Sequence, residues 1–348
     1  MSSSPSQTEA RYYRSLEGLD VQCELCPRSC LIRPGTRGFC RGRVNLGGKL
    51  VAQSYGRITS IALDPIEKKP LYHFYPGSTV LSVGTYGCNF SCDFCQNWAI
   101  AQRDADYTEV SPAQLVEVAQ RERAHHPDCV GIAYTYSEPM VWFEYVMDTA
   151  RLARSAGLKN VLVTNGFINH EPFLELLTVA DAMNIDLKAF EPGYYQQVCH
   201  GSLEPVLANI EAAIRQGCHV ELTTLVVPGL NDSPDHMEAA ARWIASLDPE
   251  TPLHLSRYFP ANRMSLPPTP ISTLVNLHWV ARKFLHYVYV GNAPQLNLDD
   301  TNCPQCKTQV IIRQGLAMRA FNLNGDLCPV CGWQIRLTGT PADGAPKP

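Results

Sequence analysis

Val80-Leu-Ser-Val-Gly84-Thr-Tyr-Gly-Cys88-Asn-Phe-Ser-Cys92-Asp-Phe-Cys95 joins a short apolar run to three cysteines across two glycines. An apolar run without strict period-two alternation reads as a strand covered on both faces. Runs of the same kind recur at 131–136, 161–164, 183–187, 219–226 and 252–258, with a seventh at 287–290. Helical segments separate them. Ser111-Pro112 and Ser233-Pro234 place a capping residue before proline at the first helical position, Ser272 is a further cap, and Gly157 and Gly217 sit where helices end. Six strand–helix units in a row predict a parallel α/β sheet with right-handed crossovers. An open partial (β/α)6 TIM-like barrel fits this count, with a doubly wound sheet as the alternative. Either fold puts its chemistry at the carboxyl ends of the strands.

The rhythm covers residues 78–295. Residues 1–77 and 296–337 break it, and each carries its own cysteine cluster, which suggests two small metal-stapled modules. Residues 338–348 are Pro/Gly-rich and read as a disordered tail. Of 348 residues 14 are Cys, and eleven of these fall into three groups. Residues 1–10 are polar without an apolar core, and no run reaches the length of a membrane span, so a cytoplasmic protein without a membrane partner is expected. In a reducing compartment such cysteine spacings signify metal or redox chemistry rather than disulfides. A net charge of −4 argues against general nucleic-acid binding.

Cys88, Cys92 and Cys95 offer three thiolates with no fourth nearby. An ordinary four-iron cluster takes four, so three would leave one iron open; a three-cysteine zinc site is the alternative. Other polar residues fall at successive strand ends: Ser137 and Glu138, Thr164 and Asn165, and Asp186 and Lys188, the last two on one face by period two. His254 and Arg257 are candidates for the far wall.

The Cys-x3-Cys-x2-Cys spacing, with Phe94 before the third cysteine, resembles the signature of the radical S-adenosylmethionine (SAM) superfamily. That resemblance implies a [4Fe-4S] cluster whose open iron is chelated by SAM, and reductive cleavage of SAM to a 5′-deoxyadenosyl radical that abstracts hydrogen. It implies that Phe94 packs near adenine and that Ser137 and Glu138 meet the SAM amino group, although Tyr136-Ser137 stands where the family has two glycines. Val163 replaces an acidic residue common before Thr164 in related activating enzymes. Asp186 and Lys188 would contact ribose and carboxylate, and the Val227 segment would pass under adenine.

The runs Asp64-Pro-Ile-Glu-Lys-Lys-Pro-Leu-Tyr-His-Phe74, Cys95-Gln-Asn-Trp98, Thr135-Tyr-Ser-Glu-Pro139, Met183-Asn-Ile-Asp-Leu-Lys188 and Val288-Tyr-Val-Gly-Asn292 are similar to the radical SAM component of the AmmeMemoRadiSam system, related to pyruvate formate-lyase activating enzymes. This implies Memo-like and AMMECR-domain proteins as partners and a reductant such as flavodoxin or ferredoxin.

Cys303-Pro-Gln-Cys306 and Cys328-Pro-Val-Cys331 form two knuckles 21 residues apart, close to zinc-ribbon spacing, with rubredoxin-like iron as the competitor. Cys23, Cys26, Cys30 and Cys40 suit zinc or an auxiliary cluster. Cys129 and Cys218 read as small packing residues, and Cys199, on the mouth side of its strand, as either a packing residue or a thiol beside the site. Three functions follow: radical chemistry on a protein partner, radical chemistry on a small molecule, or a non-catalytic iron–sulfur and zinc electron-transfer scaffold. The last leaves Glu138, Thr164, Asp186 and Lys188 unexplained.

Overall fold

Consecutive strands pair in sequence order along one eight-stranded sheet in the computed structural model, which describes residues 8–340. The strands are β1 (Ser60–Pro65), β2 (Thr79–Gly84), β3 (Cys129–Tyr134), β4 (Lys159–Thr164), β5 (Ala182–Asp186), β6 (His219–Val226), β7 (Leu253–Arg257) and β8 (Val288–Gly291). From β2 to β8 every pairing is parallel. Helices α1 (Pro112–His125), α2 (Phe143–Ser155), α3 (His170–Leu177), α4 (Glu204–Arg215), α5 (Pro234–Leu247) and α6 (Ile271–Ala281) make the crossovers. This is the partial barrel expected from the repeated strand–helix rhythm. Its carboxyl ends all open to one side. Among the described residues no helix is long and apolar enough to cross a membrane.

The local signals act as chemistry dictates. Ser111 Oγ accepts from Gln114 N while Gln114 Oε1 accepts from Ser111 N, a reciprocal cap. Gly157 and Gly217 take φ of 71° and 75° just past α2 and α4. Ser272 is a correction: α6 starts at Ile271 with Pro270 before it, so the serine lies inside the helix and does not cap it.

A second difference lies at the boundary drawn at residue 77. β1 pairs antiparallel with β2, from Ser60 opposite Gly84 to Pro65 opposite Thr79, so the sheet extends into the N-terminal region. The following segment plugs the amino-terminal end of the barrel, with Ile66, Leu71 and Phe74 packed on Val80, Ala133, Val161 and Ala182. Further upstream, Val21, Leu25, Ile32 and Leu50 share one continuous apolar core with barrel residues such as Leu81 and Val83. Arg43, 1% exposed, bonds Glu144 of α2 at 2.5 Å.

The C-terminal region is a three-stranded antiparallel sheet of Thr301–Asn302, Gln309–Gln314 and Ala317–Phe321. Val310, Ile311, Met318 and Ile335 pack against Tyr72, Tyr287 and Tyr289. Buried Arg313 donates to the Tyr72 carbonyl at 2.8 Å. The tail expected from residue 338 lies outside the described residues only from 341 on. Thr338 itself is tied down, its N–H donating to the His73 carbonyl and its carbonyl accepting from Tyr75 N.

This junction makes stability sensitive to acid. His73 Nδ1 faces the Arg336 carbonyl at 3.0 Å and must donate, so Nε2 accepts from the Tyr289 hydroxyl at 2.6 Å. The ring is neutral, and burial holds its pKa down at about 4. A histidine depressed on folding contributes stability that is present above its ordinary value near 6.5 and lost as pH falls toward 4, about 3 kcal/mol in all. The thermal midpoint, measured without oxygen, is expected to fall between pH 6.5 and 4.5, and less steeply in a His73→Gln variant. Parallel profiles for the two proteins would exclude His73 as the source.

Candidate functional site

Strand ends β2 to β7 surround a cavity of about 580 Å³. The loop after β2 brings Cys88, Cys92, Phe94 and Cys95 to it; β3 to β5 bring Ser137, Glu138, Thr164, Asn165, Asp186 and Lys188. Residues from four separate stretches of sequence thus meet in one space, because parallel neighbours deliver their carboxyl ends to the same rim.

Glu138 is the most constrained of these groups. It is 2% exposed; Thr164 Oγ1 donates to its Oε1 at 2.6 Å, Met140 N to Oε1 at 3.0 Å, and Asn165 N to Oε2 at 2.8 Å. Burial raises its pKa to about 7 despite these bonds. The Asn165 amide in turn lies 3.6 Å from Cys88 Sγ and 2.9 Å from Asn89 Oδ1. Across the cavity, Lys188 Nζ bonds Asp186 Oδ2 at 2.9 Å. Burial would lower the lysine, but Asp186 holds it well above its ordinary value. Phe94 is buried, with Lys188 Nζ 5.6 Å from its ring centre. The cavity therefore presents a carboxylate on one wall and a cation–carboxylate pair beside an apolar ring on another.

The thiols differ in their surroundings. Burial pushes Cys88 far up and Cys95 up to about 11, whereas a hydrogen bond from Cys199, followed by the charge of Lys188, holds Cys92 down. Cys199, for which packing and a place beside the site were both open, is fully buried beneath the cysteine loop, where its carbonyl accepts from Ser91 N.

Three residues considered for this site do not line it. Val227 is packed in the core, its N–H donating to Asn231 Oδ1 at 2.6 Å. His254 bonds Glu221 Oε2 at 2.6 Å, toward the closed end. It shares a strand face with Ser256, which does reach the cavity, but lies two residues deeper. Arg257, on the opposite face, donates to the Thr269 carbonyl at 2.9 Å. Residues the sequence reading passed over include Lys69, Thr223 and Ser256. Period two from His254 would have reached Ser256; Thr223 lies opposite Asp186 across the β5–β6 pairing, a register no single stretch of sequence sets. Lys69 is buried against Asp64 at 2.7 Å, and with charged Glu67 and Lys68 beside it no local pattern set it apart.

The ribbon cysteines meet tightly, with Cys303 Sγ 3.5 Å from Cys331 Sγ and Cys306 Sγ 3.5 Å from Cys328 Sγ. Among the described residues this is the one set of three or more such ligand atoms that all lie within 4.8 Å of one another. Zinc–thiolate bonds of about 2.3 Å put tetrahedral sulfurs about 3.8 Å apart, which this set matches. Among the described residues the central three cysteines do not form such a set.

Residues 82–244 match the family model described as the radical SAM superfamily. The chain is 44% identical to the uncharacterized protein MJ0808 of Methanocaldococcus jannaschii over 337 residues, 94% of this chain and 99% of that one. It is 29% identical over 156 residues to the pyruvate formate-lyase 1-activating enzyme of Escherichia coli K12, covering 43% of this chain and 61% of the relative. The crystal structure of SuiB from Streptococcus suis shares the fold, with a TM-score of 0.50 at 11% identity over 64% of this chain and 51% of that one. The chain belongs to the radical SAM superfamily. Within it, the chain forms one family with MJ0808 along nearly its whole length. Membership, with activating-enzyme homologues, implies a [4Fe-4S] cluster, SAM, and radical generation by SAM cleavage.

Proposed function

We propose that the cavity is the site of SAM cleavage and that the radical abstracts hydrogen from a protein partner, as the likeness to activating enzymes suggests. The observation that carries this reading is the meeting of Cys88, Cys92 and Cys95 with Glu138 on one wall and Asp186–Lys188 on another. Cys88, Cys92 and Cys95 would hold a [4Fe-4S] cluster, which when bound would supply the electron for SAM cleavage. Glu138 would accept from the SAM ammonium group, and Lys188 would pair with its carboxylate. Asp186 orients Lys188 and offers an acceptor to ribose hydroxyls. Phe94 gives adenine an apolar face, and the buried walls keep water from the radical.

The tight ribbon set is proposed to hold structural zinc and to dock a macromolecule together with the N-terminal region. The sequence resemblance makes Memo-like and AMMECR-domain proteins the candidate partners, with flavodoxin or ferredoxin as reductant, in the cytoplasm. Anaerobically reconstituted protein given dithionite and SAM is expected to release 5′-deoxyadenosine. Incubation in deuterated solvent with a true partner should place deuterium in the recovered 5′-deoxyadenosine if the abstracted site exchanges with solvent. Protein with its central irons in place and no SAM cleavage would overturn the enzymatic reading.

A further inference from the structure

Four cysteines lie outside the SAM site, and no part of the proposed reaction uses them. Cys23, Cys26, Cys30 and Cys40 wall one void together with Arg28, Ile32, Arg43 and Val141. They reach it from a strand, a turn and a loop of the N-terminal region, so the fold has converged four thiols with 2, 3 and 9 residues between them in sequence. Three of the four are buried. We propose that this set holds a second four-iron, four-sulfide cluster rather than a zinc ion.

Two independent observations support it. The first is sulfur spacing. The ribbon is the one set among the described residues in which three or more ligand atoms all lie within 4.8 Å of one another. No three of the N-terminal sulfurs therefore meet that limit, although all four face the same void. Four thiolates on one zinc must approach to about 3.8 Å. A cubane separates its ligands further, because each thiolate binds a different iron.

The second is Arg43. It is 1% exposed on the wall of the void, it donates to Cys23 Sγ at 3.8 Å, and its Nε–H has no protein partner. A buried, unpartnered guanidinium N–H costs free energy unless an acceptor is supplied. The sulfides of a cluster are such acceptors, and N–H bonds to cluster sulfur are one means by which proteins set potential.

The site also abuts the loop that carries the SAM-site cysteines. Gly87, at φ 100°, leaves room for the Cys40 carbonyl, which would lie 2.2 Å from a Cβ there. Arg28, on the wall of the void, donates to the Asn89 carbonyl. The inference goes beyond the SAM-cleavage proposal and can fail separately from it.

The test is a metal and sulfide count on the full chain. With Cys88, Cys92 and Cys95 all changed to Ala, protein reconstituted without oxygen is expected to retain about four irons and about four acid-labile sulfides. Adding Cys26→Ser and Cys40→Ser should remove both. Wild-type protein should carry about eight irons, and its Mössbauer spectrum should show two four-iron components. That wild-type measurement decides the matter even if the variants do not fold. About four irons with a second zinc, iron without sulfide at this site, or no metal beyond the central and ribbon sites would overturn the proposal.

Discussion

Cys92→Ala is expected to lose the central cluster and to form no detectable 5′-deoxyadenosine from SAM and dithionite, while the C-terminal region stays folded. Cys92 is the middle cysteine of the loop and is 7% exposed, with Cys199 bonded to its sulfur and Lys188 close enough to favour its charged form. Of the three it is thus the thiol whose surroundings best support a thiolate, and thiolates are the ligands. Its removal leaves two ligands, Cys88 and Cys95, both of which burial holds protonated in the absence of metal. Two such thiols are a poor anchor for a core that needs at least three. The ribbon should be unaffected, because its own core of Val310, Ile311 and Ile335 is separate. Cys218→Ser is the control: this half-buried thiol contacts the carbonyl of its neighbour His219 and belongs to none of the three sets. Iron counting, 5′-deoxyadenosine chromatography and the thermal midpoint read the three expectations separately. A Cys92→Ala protein that still cleaves SAM would remove this residue from the ligand set.

The barrel and its mouth were legible because both follow from local rules. Apolar runs such as 161–164 and 219–226 read as doubly covered strands, and the polar residues that follow such runs land at one rim by topology alone. Depth within the barrel was less legible. His254 and Ser256 share a face, yet only the latter reaches the cavity, and the height of a residue depends on strand register. β1 was hidden because its pairing with β2 is antiparallel at an edge and its mixed exposure gives no clear period. The seal formed by Arg313, Tyr72 and His73 joins positions more than 200 residues apart, which no sequence window contains. The three cysteine sets show the limit most plainly. Their spacing along the chain identified them, but the distance between sulfurs, which separates a single ion from a cluster, is set by tertiary packing.

Glu138→Ala is expected to destabilise the protein by about 2–5 kcal/mol and to weaken SAM binding by at least about tenfold. The carboxylate accepts from Thr164 Oγ1, Asn165 N and Met140 N in a fully buried setting. Alanine leaves the Asn165 and Met140 N–H groups without acceptors, and each unsatisfied buried donor costs about 1–3 kcal/mol. The damage reaches the cluster loop as well. Asn165 is held by Glu138 on its backbone, while its side-chain amide bonds Asn89 and approaches Cys88. Loosening that turn should therefore speed loss of iron from the central site. Glu138→Gln separates the two roles. Its carbonyl can still accept one backbone N–H, so much of the stability should return. It lacks the negative charge proposed to meet the SAM ammonium group, so binding should stay weak, since a hydrogen bond to an ionised partner is roughly twice as strong as a neutral one. A glutamine variant that recovers stability and SAM affinity together would show that Glu138 supports the turn and does not contact SAM.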